Sequence, residues 1–409
     1  MVTVRATEVL RAIILVSAAM SGLLVNATTI VIPPSFQAAA VWGQKVYITS
    51  EGDEFLTIVD LATGAALGRV RLKDSFYVWS SAPVFDSDRG FVQTAGFLYC
   101  FDAKTHRVVW GKRVAWGTGP AGVVNGLVIT STVEAGEGAS DPPTIFTVSA
   151  FDAKTGKRKW SRSGLWYLAC LGPSVVAVNN IGPIRQRALD PKTGNDLWAK
   201  ELAPDVIARE WALTQVPDSP YAIAVHEGIV ICLDLGSGRI LWRVDIDMDN
   251  DGRIAAVTDG TRVYLVELRR EAESVRVSAV DVASGDLEPL HAIRAFREVE
   301  YRVGPSGWVL DSSEEDDRVE YPSSVCGIDS GVLVVAGWNV AWGLDLETGA
   351  VLWCEEFGGT NVGLGWLDAW GRGVLVTKGR VVLLGSSGGR KAAVCLDVRT
   401  GQRVWTYPE

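Results

Sequence analysis

The chain has 409 residues, 48% of them hydrophobic, with 43 glycines and a net charge of −9. Length alone allows two or three domains, but an acidic chain without a clustered Lys/Arg patch argues against a nucleic-acid partner. Six cysteines without paired spacing argue against a disulfide framework, and we expect free thiols.

In chain order, the first segment is MVTVRATEVLRAIILVSAAMSGLLVNA. Arg5 and Arg11 precede an apolar stretch from Ala12 to Val25, as in a secretory signal cleaved after Ala27. A retained anchor over Ala12–Ile32, ahead of Pro33 and Pro34, is the alternative. The organisation predicted is therefore 1–27 as signal or anchor and 28–409 as the folded domain.

From there on one fragment recurs: an apolar residue, Asp, two variable positions, Thr or Ser, Gly, three variable positions and Trp. Its first copy, VDLATGAALG, keeps Asp60 and Gly64 but has Gly68 where Trp is expected. FDAKTHRVVW carries Asp102 and Trp110, with His106 in the glycine slot, and FDAKTGKRKW carries Asp152, Gly156 and Trp160. LDPKTGNDLW supplies Asp190, Gly194 and Trp198, and LDLGSGRILW supplies Asp234, Gly238 and Trp242. VDVASGDLEP keeps Asp281 and Gly285 but has Pro289 in the tryptophan slot. LDLETGAVLW and LDVRTGQRVW close the series with Asp345, Gly349 and Trp353, then Asp397, Gly401 and Trp405. The Asp-to-Asp spacings are 42, 50, 38, 44, 47, 64 and 52.

Each copy reads as a hairpin turn between short apolar strands. The Asp side chain accepts hydrogen bonds from backbone N–H groups just ahead of it. Gly supplies the positive φ needed by a four- or five-residue loop ending in a bulge. His is among the few other residues enriched there. The recurring Trp is a large apolar anchor suited to packing between neighbouring units. In the second unit VWSSAPVF, RGFVQTA and GFLYCFD precede the turn and RVVWGKRV follows it, giving four strands. Four strands per 40–50 residues predict a β-propeller blade. Eight such blades fit residues 36–409, so the expected fold is all-β, a single eight-bladed propeller of four-stranded antiparallel blades. Cys100, Cys232 and Cys395 each stand two residues before a motif Asp, a slot filled by alanine in other units, and are expected to be small buried residues.

The hairpin resembles the pyrroloquinoline-quinone-like (PQQ-like) propeller repeat. That resemblance implies that Trp110, Trp160, Trp198, Trp242, Trp353 and Trp405 dock between adjacent blades. It also implies one of two roles. Quinoprotein dehydrogenases of this type bind PQQ and Ca²⁺ over the central channel and typically carry a vicinal Cys-Cys pair, which this sequence lacks. Cofactor-free members of the BamB type act as protein-binding scaffolds outside the cytoplasm.

Three further features are candidates for function. Trp79, Trp116, Trp166, Trp211 and Trp366 lie on or near the predicted crossings from one blade to the next. There they would ring the channel mouth as a hot-spot surface for a protein or peptide, or else cap the inner core. Asp247, Asp249 and Asp251, followed by Gly252, have the spacing of a Ca²⁺ loop. The later ligand positions hold Ala255 and Thr258 instead of carboxylates, so a solvated acidic connector is the other reading. Two insertions, STVEAGEGASDPP up to Pro143 and the acidic Gly307–Pro322, read as extended loops, the second a possible contact for a basic partner. The function expected is a non-catalytic scaffold, the alternative a small PQQ-dependent oxidoreductase using the channel mouth.

Overall fold

The computed structural model describes residues 36–50, 54–72, 82–94, 96–115, 119–135, 144–171, 174–179, 185–201, 212–226, 228–247, 253–269, 274–294, 325–336, 340–356, 374–387 and 390–407. They belong to one compact unit, Pro34–Glu409. The segment 1–27 read as signal or anchor, and the acidic insertion 307–322, lie outside the described residues.

Within that unit the strands form eight four-stranded sheets, each built from four strands consecutive in sequence and neighbours in space. The blades occupy 36–71, 84–113, 119–163, 165–201, 212–245, 253–294, 325–356 and 374–407. Every strand pair is antiparallel, as in Lys45–Ser50 against Phe55–Asp60 in blade one. Tight two-residue turns link first and second strands in blades one, two, three, seven and eight. Asn125-Gly126, Ser330-Gly331 and Lys378-Gly379 all have positive φ at both positions, the mirror-image turn that matches strand twist.

The burial of each strand explains its composition. In blade one the third strand is buried on both faces, with Leu56, Thr57, Ile58 and Val59 all covered. A strand covered on both sides need not alternate apolar with polar residues. Fourth strands are edges. In Val108–Arg113 only Trp110 is even half-buried.

The core therefore lies between blades. Tyr47, Leu56 and Ile58 of blade one pack with Val92, Tyr99 and Phe101 of blade two. Phe91, Leu98 and Cys100 then meet Val128 and Phe151 of blade three. A continuous cluster joins blades three, four and five, and further clusters join five to six, six to seven and seven to eight. Val382, Leu384 and Cys395 of blade eight pack on Val46, Ile48 and Val59 of blade one. These contacts close an eight-bladed ring.

One expectation about length is corrected. Residues 131–135 of the blade-three insertion continue the strand Leu127–Ala135, paired throughout with Thr144–Asp152. The β-branched Thr130, Thr132 and Val133 favour the extended hairpin, which is paired as far as Ala135 and Thr144.

Candidate functional site

The repeated turn has one geometry. In Asp152 the Oδ1 accepts from Thr155 N at 2.9 Å, from the Thr155 hydroxyl at 2.9 Å and from Lys154 N at 3.1 Å. Gly156 N donates to Asp152 O at 2.8 Å, and Asp152 N donates to Lys157 O at 2.9 Å. The ladder then slips by one residue between Ala150 and Phe151, the bulge that a loop of this kind requires. The Thr155 hydroxyl and N–H hold the Asp152 carboxyl below the usual carboxylate range, with Lys159 adding to the effect. The same pattern lowers Asp60, Asp102, Asp234, Asp281 and Asp345.

The motif tryptophans meet the turn of the following blade. Trp110 Nε1 donates to Ala153 O at 3.2 Å, Trp160 to Pro191 O at 2.7 Å and Trp198 to Leu235 O at 2.8 Å. Trp242, Trp353 and Trp405 donate to Val282 O, Val398 O and Leu61 O, each at 2.8 Å. The acceptor is always the residue after the motif Asp. The indole also lies over the next turn's glycine: a Cβ on Gly194 would meet Trp160 Cδ2 at 2.7 Å, and one on Gly238 would meet Trp198 Cε3 at 2.5 Å. The glycine thus answers two demands, positive φ and room for the ring.

The seam between blades one and two inverts this arrangement. Blade one has Gly68 in the tryptophan slot, and His106 of blade two stands in the glycine slot at φ 58°. A Cβ on Gly68 would meet His106 Nδ1 at 2.6 Å, so the imidazole fills space that an indole fills elsewhere. The carbonyl left without an indole, Ala103 O, accepts from Lys45 Nζ at 2.9 Å and from the Tyr47 hydroxyl at 3.3 Å. Lys45 Nζ also lies 3.2 Å from His106 Nε2. Burial and the Lys45 charge push the His106 pKa down, partly offset by Asp102. Burial raises the Tyr47 hydroxyl to about 12, with Asp102 contributing. The sequence marks this exchange only as two separate departures, 38 residues apart.

Of the tryptophans predicted at the channel mouth, Trp79, Trp116, Trp211 and Trp366 lie outside the described residues. Trp166 is placed on the first strand of blade four, Leu165–Leu171, with its backbone opposite Val178. Only Gly164 separates that strand from the last strand of blade three, so no crossover loop is present there. Asp247 follows the strand Ile240–Asp245 and is exposed, while Asp249 and Asp251 lie outside the described residues. Among the described residues no group of three or more His, Cys, Asp or Glu is arranged to hold a metal.

The described cysteines are Cys100, Cys170, Cys232, Cys354 and Cys395, all free thiols. Cys100, Cys232 and Cys395 are fully buried in separate blades, and burial raises the first and last to about 12 and Cys232 to about 11. Such thiols are small core residues and poor nucleophiles. One buried aromatic without any repeat signal is Trp342, on the third strand of blade seven, where it packs with Leu333 and Val335 in the seam that has Pro289 in place of the docking tryptophan.

The ring is shared with proteins of different roles. The solved BamB of Moraxella catarrhalis matches with a TM-score of 0.57 at 16% identity, covering 87% of this chain and 95% of that one. The dihydro-heme d1 dehydrogenase NirN, in complex with DHE, matches with a TM-score of 0.59 at 15% identity, over 89% of this chain and 72% of that one. Saccharomyces cerevisiae Sqt1 matches with a TM-score of 0.57 at 11% identity, over 89% and 96%. At these identities the likeness is one of fold. No curated protein sequence matches the chain. The profile described as outer membrane protein assembly factor BamB matches residues 52–179 and 184–408. Because that match runs through all eight Asp turns, the chain belongs to the BamB-type family of PQQ-like β-propeller repeat proteins.

Proposed function

We propose that the protein is a non-catalytic, extracytoplasmic scaffold that binds a protein or peptide partner. The observation that carries this reading is the family match over nearly the whole ring, to a profile described by its role in outer membrane protein assembly. The signal-like or anchor-like segment 1–27 supports the location. The chemistry of the described residues is consistent with a scaffold: the turn carboxylates are engaged by their own loops, and the six motif indoles by neighbouring blades. We assign partner binding to the channel-mouth tryptophans, with the acidic insertion 307–322 as a secondary contact.

The second reading, a small PQQ-dependent oxidoreductase, draws on the quinone-binding branch of the repeat family and on the fold shared with NirN. Two measurements separate the readings. Photo-crosslinking residues placed at Trp116 and Trp166 in the host cell should give a discrete protein adduct that the same probe at Leu197, on the outer rim, does not. No adduct, or the same adduct from Leu197, would remove the proposed surface. Titration of the chain with PQQ and Ca²⁺, following tryptophan fluorescence, should give no saturable quenching. Saturable quenching lost in Trp116→Ala would replace the scaffold with the oxidoreductase.

A further inference from the structure

The outer part of the seam between blades two and three is lined by cations and hydroxyls. It holds an open groove of about 850 Å³, within the range typical of small-molecule sites, roughly 300–1,000 Å³. Four cations line it: Lys112 and Arg113 from the edge strand of blade two, Lys157 and Arg158 from the turn and edge strand of blade three. All four are exposed, and among the described residues none has a carboxylate within ion-pairing distance. The Lys112 stem runs across the blade-three turn, its Cε lying 3.0 Å from where a Cβ on Gly156 would be. This concentration of positive charge stands out on a chain of net charge −9.

The floor of the groove is made of hydroxyls. Thr132, Thr147 and Ser149 are 5%, 4% and 4% exposed and point the same way from paired strands. In blade five the positions of Thr147 and Ser149 hold Ile229 and Ile231, and Ile231 is buried in the ordinary apolar manner. Ser149 Oγ donates to Ser161 Oγ at 3.1 Å, and Thr147 Oγ1 to Ser163 Oγ at 3.1 Å. A hydroxyl offers one donor and two acceptor sites, so each pair keeps hydrogen-bonding capacity directed into the groove. Phe151 adds a buried apolar ring to the lining. Cations at the rim, hydroxyls on the floor and one ring face are the complement of a ligand that carries both negative charge and many hydroxyls.

The geometry points to a binding site for a phosphorylated saccharide of one or two rings. Lys112, Arg113, Lys157 and Arg158 take the phosphate, and Ser149, Ser161, Thr132 and Thr147 hydrogen-bond the sugar. The recognised unit is the sugar phosphate, whether free or as the head of a lipid. This site is independent of the scaffold assignment and draws on the outer strands of blades two and three.

The test is isothermal titration of the full chain with trehalose 6-phosphate, trehalose and inorganic phosphate, at about 50 mM and about 500 mM salt. Trehalose 6-phosphate should bind saturably at low salt and more weakly at high salt. Trehalose should not bind, and inorganic phosphate should bind at least about tenfold more weakly. The Lys157→Glu/Arg158→Glu variant should lose about a hundredfold in affinity. A charge-reversal control on exposed turn residues elsewhere, Lys192→Glu/Arg239→Glu, should lose nothing. The Ser149→Ala/Ser161→Ala variant should lose about five- to tenfold for the sugar phosphate but not for phosphate. Cosedimentation with phosphatidylcholine vesicles containing lipid A, whose head is a phosphorylated disaccharide, distinguishes the sources: retention assigns a lipid headgroup, absence a free sugar phosphate. The proposal is overturned if trehalose 6-phosphate shows no saturable binding, if it binds no better than inorganic phosphate, or if the Lys157/Arg158 reversal behaves like the control.

Discussion

The double demand on the turn glycines makes a quantitative prediction. Gly238 and Gly126 have almost the same φ, +68° and +69°. A Cβ on Gly126 would meet nothing within 4 Å, whereas one on Gly238 would meet Trp198 Cε3 at 2.5 Å and Cδ2 at 2.6 Å. Alanine at either site therefore carries the same left-handed penalty, about 1–2 kcal/mol, reduced by about 0.4–1 kcal/mol because alanine restricts the unfolded chain. At Gly238 an overpacking cost of about 1–3 kcal/mol is added. The Trp198 ring cannot swing aside freely, because it is 8% exposed and tied to Leu235 O at 2.8 Å. Urea unfolding followed by circular dichroism, with the midpoints compared at unchanged slope, should show Gly238→Ala less stable than Gly126→Ala by that increment. In a Trp198→Ala background, itself destabilised by about 3–5 kcal/mol, the increment should vanish. Equal costs for Gly238→Ala and Gly126→Ala in the native background would refute the idea that the indole and the glycine are fitted to one another.

Two further outcomes follow from the seams. Trp198→Phe keeps most of the ring but strands the Leu235 carbonyl, and should cost about 1–3 kcal/mol in the same assay; a loss below about 0.5 kcal/mol would show that the indole N–H contributes little. His106, whose pKa is lowered first by burial and then by Lys45, binds its proton less readily folded than unfolded. Its contribution is thus fully present above the unfolded value, about 6.5, and is lost as pH falls below it. The native chain should lose stability more steeply than His106→Gly between about pH 6.5 and 5, and equal slopes would contradict the Lys45–His106 contact. The turn aspartates, also lowered, act in a separate window, losing their contribution only as pH falls below about 3.9.

The sequence makes the eight turns legible because each residue in them has its own local reason. Asp152 bonds to residues two and three places ahead, and Gly156 needs its φ whatever surrounds it. The role of the tryptophans is legible from recurrence alone, since a large ring at a fixed offset in six units must meet the same environment six times. What crosses a seam without recurring is not legible. His106 over Gly68 and Lys45 on Ala103 O depend on which blades adjoin and at what height. The hydroxyl floor is visible as alternation in TIFTVSAFD, and the cations as Lys112-Arg113 and Lys157-Arg158, yet only the packed ring brings them together. Trp166 was expected on a crossing because it follows Trp160 by six residues. It lies on a strand because the crossing in that blade is reduced to Gly164. Trp342 carried no signal, being one apolar residue in an apolar strand.

The closing seam shows what the unit of this architecture is. Blade one is made only of strands from 36–71 and blade eight only of strands from 374–407, so no sheet is shared between the two ends. The ring shuts through Trp405 Nε1 on Leu61 O and the indole over Gly64, the same joint used between internal blades. A circular permutant opened between Ala115 and Gly119 would break none of the described strand ladders. Whole blades, six of them carrying an indole plug on the edge strand that fits a socket in the turn of the next blade, thus behave as modules. Lengthening or shortening such a ring by duplication or deletion requires only that the plug of one module meet the socket of the next.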